Sequence, residues 1–136
     1  MQFAANNWYL ILGIVIVLAM LVYAPLTQLR HGVRHVTSAE AIRLLNQEKG
    51  LLMDVREPDE YRTGHVLNAM NVPLSGLAGS LKQIEKYKSL PLIVCCRTSQ
   101  RSARAAVTLR KQGFANVQVL AGGMLGWQRE NLPVAK

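Results

Sequence analysis

Residues 91–112 read PLIVCCRTSQRSARAAVTLRKQ, and this stretch predicts a strand, a loop and a helix in succession. Residues 91–95 form a short apolar run, as expected of a strand that is buried in a parallel sheet. Residues 102–112 carry apolar side chains at helical spacing, and Gly113 then predicts the end of the helix. Ligands of parallel α/β sheets bind at the carboxyl ends of the strands, so we expect functional groups in the polar loop 96–101.

The same alternation of strand and helix continues on both sides of this stretch. Candidate strands fall at residues 35–37, 51–53, 69–72 and 117–120. One candidate helix follows a capping box at residues 37–40, a second occupies residues 75–88, and a third begins after Gly122 and Gly123. One further helical turn is predicted at residues 59–62. Strands that alternate with helices predict an α/β fold in which a mostly parallel sheet is covered by helices on both faces.

The beginning of the chain differs in composition from the rest. Residues 1–29 contain no charged side chain, whereas all 16 Lys and Arg and all 8 Asp and Glu lie between Arg30 and Lys136. Residues 8–24 form an uninterrupted apolar run, which would be roughly 25 Å long as a helix. We therefore expect one transmembrane anchor at residues 1–29 and a separate domain at residues 30–136.

A cleaved signal peptide and a buried core helix are the other interpretations of this apolar run. A signal peptide needs a basic leader, which residues 1–7 lack, and a core helix should show a polar face. Trp8 and Tyr23 instead fit the aromatic belts of a membrane span. Because Arg30 and Arg34 follow the span and nothing basic precedes it, the positive-inside rule predicts a plasma (inner) membrane protein whose domain is cytoplasmic.

The net charge of +8 limits the partners of the domain. Its basic residues are scattered, without long basic runs or aromatic interleaving, so nucleic acid is the least favoured partner, and small anions or anionic lipids are favoured. Cys95 and Cys96 are the two cysteines, and adjacent cysteines provide neither a disulfide framework nor the ligand spacing of a metal site. We therefore predict no metal and no cofactor.

Cys96 begins the polar loop and is the candidate nucleophile. A loop that turns into a helix directs backbone N–H groups inward, and these groups stabilise an anion together with the helix dipole. A thiol held there should ionise more readily, and the thiolate is the nucleophilic form. Arg97, Arg101 and Arg104 would attract an anionic substrate. The other interpretation is an inert buried residue, which we expect of Cys95 because side chains alternate along a strand.

Three segments resemble the signatures of the rhodanese family, in the order in which that family has them. The first is LMDVREPDEY at residues 52–61, with GHV at 64–66 and AMNVPL at 69–74. The second is the loop CRTSQRS at 96–102, and the third is GGMLGW at 122–127 with LPV at 132–134. The resemblance extends from about residue 35 to residue 134, and it implies one rhodanese domain with sulfurtransferase activity.

By this resemblance Cys96 carries sulfur as a persulfide between a small anionic donor, such as thiosulfate, and a thiol or protein-cysteine acceptor. The residues that would cradle the donor are Arg97, Thr98, Ser99, Gln100 and Arg101. Asp54 and Arg56 are expected to be structural, with Arg101 as a candidate charged partner of Asp54. His65 is expected to be a turn residue rather than a base, and Trp127 a packing anchor.

The loop departs from the family at Ser99, where glycine is common. Serine in a left-handed conformation would cost about 1–2 kcal/mol, so we expect a differently shaped or less active loop. A phosphatase or arsenate reductase is a rival interpretation, but such loops place arginine six residues after the cysteine, where this chain has Ser102. A second rival is a non-catalytic rhodanese-like module that binds a protein partner at the membrane.

Overall fold

The computed structural model describes residues 1–30 and 33–136, which form two separate units. The first unit contains the short helix α1, Gln2–Asn6, and the long helix α2, Trp8–Arg30. The second unit contains all the strands and the remaining helices. The predicted division of the chain between residues 29 and 30 stays a prediction.

Helix α2 contains one stretch, Trp8–Leu26, that is long and apolar enough to cross a membrane. The side chains of this stretch are exposed, so they do not form the core of a globular unit. Pro25 lies inside α2 and does not end it.

The second unit alternates strands and helices. Its strands are β1 (Arg34–Val36), β2 (Leu51–Asp54), β3 (His65–Val66), β4 (Met70–Asn71), β5 (Leu92–Cys95), β6 (Val117–Leu120) and β7 (Val134–Ala135). Its α-helices are α3 (Ser38–Gln47), α4 (Pro58–Thr63), α5 (Leu77–Ile84), α6 (Gln100–Lys111) and α7 (Gly123–Arg129), and single 3₁₀ turns lie at Leu74–Gly76 and Glu85–Tyr87. Five strands form a parallel sheet in the order β1-β6-β5-β2-β4, while β3 pairs with β7 in antiparallel fashion.

Helices cover both faces of the sheet, which confirms the predicted fold class. On one face α5 and α6 bury Leu77, Ile84, Ala105, Ala106 and Leu109. On the other face α3 and α7 bury Ala41, Leu44, Met124 and Trp127. Both sets of core side chains come from residues 33–136, so the second unit has a hydrophobic core of its own.

Most predicted elements are present, and the differences lie at their ends and in one additional pair of short strands. Helix α6 begins two residues earlier than predicted because the Ser99 carbonyl accepts the Ala103 N–H at 3.0 Å. The predicted capping box at the start of α3 is half formed: Thr37 Oγ1 accepts the Glu40 N–H at 3.2 Å, but the Glu40 carboxylate pairs with Arg34. The β3–β7 pair was not predicted, since strands of two residues are too short to show an alternating pattern.

Candidate active site

The loop after β5 holds Cys96 at the start of α6. The Ser102 N–H, in the first turn of α6, donates to Cys96 Sγ at 3.4 Å, and the Cys96 thiol donates to Ser102 Oγ at 3.4 Å. Ser102 Oγ in turn donates to the Ser99 carbonyl at 3.1 Å. The amino end of the helix therefore presents a backbone donor to the sulfur atom, which is the arrangement expected of a loop that turns into a helix.

Cys96 is more buried than its position at the end of a strand suggested, since only 1% of its surface is exposed. Its side chain packs on the sheet face that α5 and α6 cover, whereas Cys95 packs on the opposite face. Burial raises the pKa of the Cys95 thiol well above its usual range, and the nearby Asp54 carboxylate raises it further. Cys95 is therefore a neutral core residue, separated from Cys96 by the alternation of side chains along the strand.

The amino end of α7 holds the back of the Cys96 loop. The Met124 N–H donates to the Cys96 carbonyl at 2.8 Å, and the Leu125 N–H donates to the Arg97 carbonyl at 3.1 Å. The C=O and N–H of a trans peptide point in opposite directions, so the N–H groups of Arg97 and Thr98 point away from α7. These contacts fix the direction of the loop amides that would hold an anion.

Gly123 is the point of closest approach between α7 and the loop. Its φ of +55° lies in the left-handed region, which favours glycine. A Cβ at this position would overlap the carbonyl oxygens of Cys96 and Thr98 and would lie 2.8 Å from the carbonyl carbon of Arg97. Glycine is therefore required here for two reasons, the backbone conformation and the lack of space for a side chain.

The predicted cradle residues differ in exposure. Arg97, Thr98 and Gln100 are exposed, whereas Ser99 is half-buried. Ser99 has a φ of −152°, so it does not adopt the left-handed conformation that would strain a serine. Left-handed strain at serine is therefore absent from this loop, and the expectation of a differently shaped or less active loop stays a prediction.

Arg101 forms a bidentate ion pair with Glu60, not the predicted pair with Asp54. Arg101 Nη1 donates to Glu60 Oε2 at 2.7 Å, and Nη2 donates to Oε1 at 2.9 Å. The hydrogen bond from Arg101 lowers the pKa of Glu60 from its ordinary 4.5 to about 2, and the same bond raises the pKa of Arg101. The prediction was wrong because Arg56, two residues after Asp54, already donates to both carboxylate oxygens of Asp54.

Asp54 and Arg56 form a buried ion pair at the end of β2, and neither is more than 6% exposed. Arg56 Nη2 donates to Asp54 Oδ2 at 2.7 Å and to the Gly64 carbonyl at 2.7 Å. Asn71 Nδ2 donates to the carbonyls of Asp54 and Arg56 at 3.1 and 2.9 Å. These bonds tie the turn after β2 to the residues around β3 and β4, and the predicted structural role of the pair stays a prediction.

His65 and Trp127 both make packing contacts. His65 stacks on Tyr61 with ring centroids 3.7 Å apart, and its Nδ1 lies 2.9 Å from the Tyr61 carbonyl oxygen. Trp127 is 3% exposed, and its Nε1 donates to the Pro133 carbonyl at 3.0 Å. His65 lies in β3 and not in a turn as expected, and the packing roles of both residues stay predictions.

Three residues of the site were not assigned a role by the sequence analysis: Glu60, Ser102 and Gly123. Ser102 was considered only for its spacing from Cys96, although a polar residue in the first turn of the helix is a natural partner for the sulfur. Glu60 and Gly123 carried no local signal of their role, because the loop atoms that they meet are distant in sequence.

The family model of the Rhodanese-like domain matches residues 37–130. The uncharacterized protein YibN of Escherichia coli K12 is 33% identical over 137 residues, which cover 100% of this chain and 96% of YibN. A sulfurtransferase of Allochromatium vinosum is 33% identical over 92 residues, or 68% of this chain and 84% of the relative. A crystal structure of a rhodanese-related protein from Thermoplasma volcanium is similar with a TM-score of 0.66 and 31% identity, covering 75% of this chain and 97% of that one. The chain therefore belongs to the rhodanese family.

Proposed function

We propose that this protein is a sulfurtransferase in which Cys96 carries sulfane sulfur as a persulfide. The observation that carries the proposal is the position of Cys96 Sγ at the amino end of α6, where the N–H of Ser102 in the first turn donates to it. Membership of the rhodanese family supports the reaction class, as does the similarity to a protein that is named a sulfurtransferase.

The proposed reaction has two steps, and each step is a displacement at a sulfur atom. The Cys96 thiolate attacks the outer sulfur of thiosulfate, the S–S bond of the donor breaks, and sulfite leaves with the electron pair of that bond. A thiolate or cyanide acceptor then attacks the outer sulfur of the Cys96 persulfide, and the Cys96 thiolate leaves. The amides of the loop, together with the Ser102 N–H, stabilise the negative sulfur in each state.

The side chains of the loop divide into two groups in this mechanism. Arg97, Thr98 and Gln100 are exposed and free to approach a small anionic donor, and Arg97 supplies positive charge. Arg101 is held by Glu60 in a bidentate pair, so we assign it a bracing role at the edge of the donor site. Ser99 contributes its carbonyl, which orients the Ser102 hydroxyl.

The burial of Cys96 supports a second candidate, a non-catalytic rhodanese-like module that binds a protein partner. Only 1% of Cys96 is exposed, so a donor reaches the sulfur only if it is small or the loop opens. The phosphatase interpretation has less support, because the sixth residue after Cys96 is Ser102, and Arg101 is engaged by Glu60.

We further propose that α2 anchors the protein in a plasma (inner) membrane with the second unit in the cytoplasm. The apolar stretch Trp8–Leu26 supports the anchor, and the charge asymmetry around it supports the orientation. Protease treatment of spheroplasts tests this orientation: the second unit should be protected until the membrane is permeabilised. Digestion in intact spheroplasts would reverse the proposed orientation.

A sulfur-transfer assay separates the two candidate functions. Residues 33–136, which have their own core, are incubated with thiosulfate and cyanide, and the thiocyanate formed is measured. We expect thiocyanate from the wild-type domain and from Cys95→Ala, and none from Cys96→Ala. An inactive wild-type domain would favour the binding module, and activity that survives Cys96→Ala would show that another residue is the nucleophile.

A further inference from the structure

A basic surface lies at the edge of the sheet opposite the Cys96 loop. In a parallel sheet the amino ends of all strands share one edge, and the carboxyl ends share the other. The loops that precede β2, β5 and β6 therefore lie together, at residues 47–50, 85–91 and 110–116. We call the exposed surface of these three loops the basic edge; its cations are Lys49, Lys86, Lys88, Arg110 and Lys111.

Direct contacts join the three loops into one surface. The Leu51 N–H donates to the Pro91 carbonyl at 2.9 Å, which links the first loop to the second. The Leu92 N–H donates to the Asn116 carbonyl at 2.8 Å, which links the second loop to the third. Lys88 Nζ also lies 5.9 Å from the centre of the Phe114 ring. Backbone hydrogen bonds thus hold together the three loops that carry these cations.

The charge of the basic edge is poorly balanced. Its three loops contain five Lys and Arg but only two acids, Glu48 and Glu85. Those two carboxylates are already paired, Glu48 with Arg43 and Glu85 with Lys88. Within residues 1–30 and 33–136, Lys49, Lys86 and Lys111 form no ion pair.

The opposite edge is closer to neutral. There Arg56 pairs with Asp54, and Arg101 pairs with Glu60. Glu57 and Asp59 add two more carboxylates near the start of α4. With Arg62, Arg97 and Arg104 included, this edge has five cations and four carboxylates, a net charge of +1, whereas the basic edge has five cations and two carboxylates, a net charge of +3.

We propose that the basic edge docks on the headgroups of anionic lipids. The proposal rests on the proposed membrane anchor and goes beyond it. Only two residues separate Arg30 from Val33 in the sequence, and the chain enters the sheet at the amino end of β1, on the basic edge. The proposed anchor keeps the domain at a membrane surface, and each Lys or Arg near anionic lipid contributes favourably to binding.

Docking by this edge sets the direction in which the Cys96 loop faces. The loop follows the carboxyl end of β5, so it faces away from the membrane when the amino ends of the strands face the lipid. A sulfur donor and acceptor would then reach Cys96 from the aqueous side. Docking by the basic edge would therefore orient the site, rather than only confine it to the membrane.

Vesicle binding by residues 33–136 tests the proposal without the anchor. Cosedimentation is measured with vesicles of phosphatidylglycerol and phosphatidylcholine, and with phosphatidylcholine alone, at low and at physiological salt. The test variant is Lys86→Gln/Lys111→Gln, and the charge-matched control is Arg97→Gln/Arg104→Gln on the other edge. All four side chains are exposed, so the variants should fold, which thermal unfolding checks.

We expect salt-sensitive binding to the anionic vesicles and none to phosphatidylcholine. The test variant should bind about 25-fold more weakly, since each lysine contributes about five-fold, while the control should bind within about three-fold of wild type. No binding to anionic vesicles, or equal losses in the two variants, would overturn the proposal. Tighter binding to a DNA duplex than to the vesicles, lost in the test variant, would assign the basic edge to nucleic acid instead. None of these results depends on Cys96, so they leave the proposed sulfur transfer untouched.

Discussion

Gly123→Ala is the substitution that the Cys96 loop should tolerate least. At Gly123 an added methyl group meets the carbonyl oxygens of Cys96 and Thr98, and the backbone is left-handed with a φ of +55°. Gly122 is a matched control, because it is also left-handed, at +75°, but its Cβ would have ordinary contact at 3.4 Å. The two variants therefore share the backbone strain, and only one has the overlap.

The expected loss of stability follows from these contacts. An alanine in the left-handed region costs about 1–2 kcal/mol, which applies to both variants. The overlap at Gly123 also forces α7 away from the loop, so the bonds from Met124 and Leu125 to the loop carbonyls weaken or break. Two lost backbone bonds add about 2 kcal/mol, at about 1 kcal/mol each. We expect Gly123→Ala to lose about 3–4 kcal/mol in total.

Urea unfolding of residues 33–136 measures the free energy of unfolding, and mass spectrometry measures sulfur bound after thiosulfate treatment. Gly122→Ala should be moderately destabilised and should still load sulfur on Cys96. Gly123→Ala should be less stable by a further 2 kcal/mol or so and should load little sulfur even where it is folded. Equal stability and equal loading in the two variants would refute the idea that α7 holds the loop in its active shape.

Three other substitutions test individual contacts of the site. Arg56→Met leaves the Asp54 carboxylate buried without its partner and should lower the free energy of unfolding by about 3–5 kcal/mol in a urea titration; a loss below about 1 kcal/mol would contradict the buried pair. Glu60→Gln should cost less than about 1 kcal/mol at neutral pH, because the pair with Arg101 is about one-third exposed. Since the pKa of Glu60 is lowered to about 2, the stability difference between wild type and Glu60→Gln should be constant above pH 4.5 and vanish as the pH falls towards 2; a difference that persists at low pH would contradict the ion pair. Ser102→Ala removes the hydroxyl but keeps the backbone donor, so the rate of sulfur loading should fall no more than about five-fold, and a fall of two orders of magnitude would make the hydroxyl essential.

The fold was predictable because its signals are local. The three central strands β2, β5 and β6 are short, mostly apolar runs, and helices with apolar residues at helical spacing alternate with them; this alternation has few alternative topologies. The position of Cys96 followed from the same pattern, since the end of β5 at Cys95 can be read from the sequence. The separation of Cys95 from Cys96 required only the alternation of side chains along a strand.

The contacts that shape the site were not predictable, because they join residues that are distant in sequence. Arg101 and Glu60 are 41 positions apart, and nothing local distinguishes Glu60 from the neighbouring acids as the partner. Gly123 was read as a turn residue, and its contact with Thr98 depends on how α7 packs against the loop. The backbone conformation of Ser99 was likewise set by the start of α6, two residues earlier than its sequence pattern indicated.

The proposed persulfide on Cys96 is measured most directly by the mass of the peptide that contains this residue. Trypsin releases residues 89–97 as one peptide with both cysteines, so the experiment uses Cys95→Ala and Cys96→Ala as a pair. After treatment with thiosulfate and no acceptor, this peptide from Cys95→Ala should carry one added sulfur atom, which cyanide removes. The peptide from Cys96→Ala should carry none. Added sulfur in the Cys96→Ala peptide, or none in either variant and in the wild-type chain, would contradict the proposal that Cys96 carries sulfur as a persulfide.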